Sequence, residues 1–144
     1  MSNPNMYLLV FKKPNESQVQ IIRETFNDFD WEQGFAVEEI VADQLVNDNL
    51  IIQFVSFKDF VQKDEKSGKL TLYPETTNAV LLGKEQFLGN LYNNDIENVE
   101  TYFCYLGVAS DERDSANEIF FKVEYGKYSS LEQVNKNLED LLSN

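Results

Sequence analysis

Between residues 24 and 48 the chain carries eight carboxylates, Glu24, Asp28, Asp30, Glu32, Glu38, Glu39, Asp43 and Asp48, and no lysine or arginine. Carboxylates at this density can do several kinds of chemistry. Gathered on a loop, they ligate a hard cation such as calcium. Paired about 5–10 Å apart, they serve as acid and base in hydrolysis. Spread over a surface, they attract a basic partner and repel a phosphate backbone. A solvated helix face is the plain alternative, but such faces ordinarily mix Glu with Lys at four-residue spacing and gain stability from it. Here the sign is uniform. A second span, 85–112, repeats the bias with Glu85, Asp95, Glu97, Glu100, Asp111 and Glu112 and no base.

Counting Asp28 as the first position, Asp28, Asp30, Glu32 and Glu39 fall at 1, 3, 5 and 12, so residues 26–40 resemble an EF-hand calcium loop. The pattern breaks where geometry matters: the sixth position needs glycine for its sharp turn, Gln33 stands there, and Gly34 comes one place late. No second hand follows, so the expectation is no metal and no cofactor. Catalysis has as little support. With no histidine and a lone Cys104, the chain contains no Ser-His or Cys-His pair, no Cys/His zinc site and no intramolecular disulfide. No phosphate loop or nucleophile motif is present, and no acid pair is singled out. A carboxylate-based enzyme or a calcium-binding module is the competing class; the expectation is a non-enzyme with no catalytic residue.

The elements that would position these acids follow from periodicity. Residues 6–11 form an apolar run closed by Pro14, as expected of a strand buried on both faces. Asn15 or Ser17 can then cap a helix with Val19, Ile22, Phe26 and Phe29 on its inner face. Gly34 interrupts the pattern. Val37, Ile40, Val41 and Leu45 resume it, predicting a second amphipathic helix with Glu38, Glu39 and Asp43 on its solvent face. Residues 47–49 are a turn cluster and 50–57 a buried strand. The lysine-rich stretch 58–69 reads as a helical turn and exposed loop, 70–73 and 78–82 as strands, and 84–92 as a helix.

Residues 99–109 and 118–125 predict an antiparallel hairpin joined by the polar loop 110–117. Ser129 and Glu132 have capping-box spacing before a terminal helix with the stripe Leu131, Val134, Leu138 and Leu141. The order predicts an α+β fold, a mostly antiparallel sheet covered by amphipathic helices, in a single domain over 1–144. With 42% apolar and 13% aromatic residues, a chain of 144 residues can bury a sizeable core. Tyr102, Phe103 and Tyr105 are expected in that core, and Cys104 beside them as a small buried hydrophobe. Residues 1–5 lack the basic and apolar regions of a signal peptide, and no apolar run reaches membrane-helix length, so the expectation is a cytoplasmic protein.

Twenty-five acids against twelve bases leave a net charge of −13, which disfavours nucleic acid and anionic membranes as partners and favours a basic protein. In size and charge the chain is similar to bacterial immunity proteins that neutralise nuclease toxins, and to phage inhibitors that mimic DNA. The leading expectation is therefore a non-enzymatic inhibitor that occupies the basic site of a toxin-like partner. Its expected contact residues are Asp28, Asp30, Trp31, Glu32, Glu38, Glu39 and Asp43. Trp31, between two acids, is the candidate aromatic anchor, because interface energy concentrates in a few aromatic and charged residues.

Overall fold

The computed structural model describes residues 5–28, 37–57, 61–68, 70–72, 91, 96–108, 119–123, 131–134 and 136–143. Along the chain these form β1 (Asn5–Phe11), α1 (Glu16–Asp28), β2 (Glu39–Val46), β3 (Asn49–Ser56), β4 (Val61–Lys63), β5 (Leu70–Leu72), a 3-10 turn (Ile96–Asn98), β6 (Thr101–Val108), β7 (Ile119–Val123), β8 (Leu131–Val134) and α2 (Leu138–Leu142). Among the described residues, six strands form one antiparallel sheet in the order β2-β3-β1-β6-β7-β8, and β4 pairs with β5 apart from it. The fold is α+β, as the sequence predicts.

Strand alternation builds two cores. From β1, Tyr7, Leu9 and Phe11 face α1, where they meet Val19, Ile22 and Phe26 of the helix, Leu50, Ile52 and Phe54 of β3, and Phe103 of β6. Leu8 and Val10 take the opposite face with Ile51, Tyr102, Cys104, Phe120 and Leu141. The unbroken apolar run of β1 thus reflects cover on both faces of the sheet. Rings dominate the first core: Tyr7 stacks on Phe54 and Phe103 at 5.8 and 5.6 Å between centroids, and Phe26 reaches Phe54 at 6.1 Å. Helix α1 begins with a reciprocal cap, in which Asn15 Oδ1 accepts from the Gln18 N–H while Gln18 Oε1 accepts from the Asn15 N–H.

Three expectations need correction. Residues 37–45 are not a helix: Glu39–Val46 is a strand, paired with β3 from Glu39↔Val55 to Val46↔Asn49. A two-residue turn enforces this pairing. Asn47 and Asp48 both adopt positive φ, 51° and 66°, the arrangement of a type I′ hairpin turn that matches the twist of its strands. A bulge between Ile40 and Ala42 then places Ile40, Asp43 and Leu45 on one face, with Asp43 beside the apolar residues a helix would have set it against.

The terminal helix is also shorter than its stripe implies. Leu131–Val134 pairs with β7, so Glu132 is not in a helical first turn. The helix starts instead at Asn137, whose side chain accepts from the Asp140 N–H at 2.8 Å. Finally, residues 61–72 contain the β4–β5 hairpin, with Asp64 organising the turn by accepting from the Lys66 N–H and the Ser67 hydroxyl. Strand 78–82, Ser129 and nearly all of the 84–92 helix lie outside the described residues; Leu91 is helical and buried.

The β6–β7 hairpin is present, with Thr101↔Val123 and Tyr105↔Ile119 at the ends of its register. Short α2 is held by side chains at the carbonyls of its last turn: Lys12 Nζ donates to Leu141 O, and Asn47 Nδ2 and Asn49 Nδ2 donate to Leu142 O. Buried Asn49 also accepts from the Lys13 N–H, linking β1, the β2–β3 hairpin and α2.

Candidate functional site

The acids of 24–48 are distributed by two elements, α1 and the sheet edge β2. Buried Val19, Ile22 and Phe26 seat α1 on the sheet and leave Glu16, Gln20 and Glu24 exposed. Strand β2 pairs with β3 alone among the described residues, and most of its side chains are exposed. Ile40, Val41 and Leu45 are 36%, 49% and 51% exposed, unusual for apolar residues in a strand.

Between α1 and β2 lies a groove of about 740 Å³, lined in part by Glu16, Val19, Arg23, Glu24, Leu45 and Asp48. Its lining combines apolar Pro14, Val19 and Leu45 with acidic Glu16, Glu24 and Asp48. Arg23 is the lone base among its lining residues, and it is already engaged: Nε donates to Asp43 Oδ1 at 2.8 Å. On the other side of the sheet, Lys12 gives its Nζ to the carbonyl of Leu141, a residue of the second core. Burial first, then the neighbouring charges of Lys13 and Lys136, hold its ammonium below the usual lysine range, with Glu100 acting in the opposite sense.

The sequence-predicted contact residues separate into groups. Glu38, Glu39 and Asp43 are exposed, as expected, but do not share a face. Asp43 pairs with Ile52 on the α1 side, whereas Glu39 pairs with Val55 on the other. A helix would have set them four residues apart on one stripe; a strand with a bulge does not. Asp43 is moreover compensated by Arg23, which stands one residue before the acid-only span. The Glu38 N–H donates to Val55 O at 2.9 Å, extending the pairing beyond the strand. Asp28 is the last residue of α1. Asp30, Trp31 and Glu32 lie outside the described residues. The helix–loop–helix frame of a calcium loop is not kept, since Glu39, its twelfth position, opens a strand.

Sequence reasoning missed Glu16, Arg23 and Leu45 as members of this site. The available signal was Asn47 and Asp48: read as a two-residue hairpin turn, they make 39–46 a strand and bring Leu45 and Asp48 beside α1. Tyr102 is buried, as expected, with its hydroxyl 3.4 Å from Glu100 Oε2 and Lys136 Nζ over its ring at 5.5 Å. Cys104 is buried in the second core, as expected.

Among the described residues no group of three or more Cys, Asp or Glu is placed to hold a metal ion, and no helix is long and apolar enough to cross a membrane. What the groove can do is attract cationic groups to an apolar cleft beside a sheet edge. No family model matches the chain, and no curated protein or solved structure matches it either.

Proposed function

We propose that this protein is a non-enzymatic binder that occupies the basic site of another protein, acting as an immunity protein against a nuclease-type toxin. The observation that carries this reading is the groove between α1 and β2, where Glu16, Glu24 and Asp48 share the lining with exposed Leu45 and the one lining base is paired. Apolar residues beside like-charged ones suit a recognition surface, in which the apolar contacts supply affinity and the charges steer the approach. The net charge of −13 extends that steering over the whole molecule. Asp28, Asp30, Trp31, Glu32, Glu38, Glu39 and Asp43 belong to the proposed contact surface, with Trp31 as its aromatic anchor. A nuclease site, built to hold phosphate, is a basic cleft that such a surface fills.

The experiment is capture on the immobilised protein from its host, followed by kinetics with the purified partner. The expected partner is basic, and its association rate falls steeply between about 0.01 M and 0.15 M salt as the Debye length shrinks from ~30 to ~8 Å. Cells producing that partner survive only when this chain is co-produced. An association rate indifferent to salt overturns the reading. A captured DNA-binding protein without toxicity replaces immunity by DNA mimicry.

A further inference from the structure

Resting on the function proposed above, we infer that the partner docks by strand addition: an extended basic segment pairs with the outer edge of β2 and lays cationic side chains into the α1 groove. Strand β2 is eight residues long and is one edge of the sheet among the described residues. Natural edges are usually protected by short length, lysine or proline. The opposite edge, β8, has four residues. Strand β2 has neither lysine nor proline, and its bulge at Val41 leaves a regular stretch from Ala42↔Gln53 to Val46↔Asn49.

That stretch has backbone groups to offer. In a two-residue hairpin the pair flanking the turn is hydrogen-bonded, and such pairs alternate along an antiparallel ladder. Counting from Val46↔Asn49, the backbone groups of Val46, Gln44 and Ala42 face β3, and those of Leu45 and Asp43 point away from it. Leu45 also lines the groove, so the open edge and the acidic cleft are contiguous.

Charge selects the occupant. A second copy pairing edge to edge would join two chains of charge −13, each edge carrying Glu39 and Asp43 and no base. A basic strand meets no such repulsion. Its side chains opposite Asp43 and Leu45 project on the α1 side, within the reach of Glu16, Glu24 and Asp48, while alternate residues lie on the other face. The partner segment therefore alternates basic with apolar or β-branched residues.

A short peptide alternating lysine and valine serves as the probe, followed by amide hydrogen exchange in nuclear magnetic resonance. The expected result is that the peptide slows exchange at Asp43 and Leu45 by about tenfold or more, as protection tracks the population of the paired state. A peptide of equal charge, N-methylated on the nitrogens facing β2, gives no protection. Leu45→Pro, which removes one outward N–H at a sheet edge where proline is tolerated, abolishes the effect. Should that variant not fold, Leu45→Lys does so by opposing the basic strand.

Equal binding of both peptides, or bound peptide without protection, overturns strand addition and leaves the acidic recognition surface intact. No binding of either peptide at low salt also overturns it; the salt dependence of the captured partner then judges the functional reading by itself. Protection of Asp43 and Leu45 that rises with protein concentration in the absence of peptide overturns it in favour of self-pairing.

Discussion

Removing a charged residue from an interface usually weakens binding, yet Arg23→Ala is expected to speed the approach of a basic partner. In the free protein the Arg23 guanidinium neutralises Asp43 at 2.8 Å, with side chains 38% and 29% exposed. Deleting it unmasks one carboxylate on the groove side of β2. A unit charge about 8 Å from an arriving ammonium in water is worth about 0.5 kcal/mol, which corresponds to roughly a twofold gain in association rate. The same variant loses only the ~0.2–1 kcal/mol typical of an exposed ion pair, so the fold persists.

Stopped-flow association with the lysine–valine peptide measures the first effect and urea denaturation the second. In about 1 M salt, where the Debye length is ~3 Å, the gain disappears. Asp43→Asn should act oppositely, because it leaves an unpaired guanidinium in the groove and slows association by a similar factor. The double variant Arg23→Ala, Asp43→Asn returns the local charge to that of the native pair, and its rate should lie close to the native one. Slower association of Arg23→Ala, or a gain that survives high salt, would refute the electrostatic account of the groove.

The turn that makes β2 a strand can be tested through Asp48, whose φ of 66° is cheap for glycine and costly for a β-branched residue. Urea denaturation should find Asp48→Gly unchanged to about 1 kcal/mol more stable, and Asp48→Val destabilised by about 1–3 kcal/mol. Asp48→Gly should also slow peptide association, since it removes an acid from the groove lining. At the β4–β5 turn, the Lys66 N–H and then the Ser67 hydroxyl hold the Asp64 carboxyl below its ordinary 3.8. The folded state therefore binds that proton less readily than the unfolded chain. Its stabilising contribution is complete above the ordinary value and is lost as pH falls through the depressed one. A carbon-13 titration should place the Asp64 midpoint below 3.8, and Ser67→Ala should move it upward.

Much of the architecture is legible because it depends on local pattern. Residues 6–11 and most of 50–57 are apolar enough to be covered on both faces, and they became β1 and β3, with Phe57 exposed beyond the strand. Val19, Ile22 and Phe26 mark the inner face of α1 at helical spacing, and the alternation of Ile119, Phe121 and Val123 marks β7, which pairs with β6. The acidic character of the site is likewise a property of composition alone.

Where those acids stand was decided by pairing across the sheet. Ile40, Val41 and Leu45 read as part of one helical stripe, but β3 offered the segment a strand partner, and the Val41 bulge, invisible to periodicity, set Ile40 and Leu45 on one face of β2. Leu131 and Leu138 read as one stripe, but β7 offered the first a strand partner, and Asn137 started the helix only afterwards. Isolated helices as short as these are marginal, whereas a strand docked on a buried neighbour satisfies its backbone and buries side chains together. For that reason Glu39 and Asp43 parted to opposite faces, Arg23 met Asp43 across twenty residues of chain, and the groove formed beside an open edge.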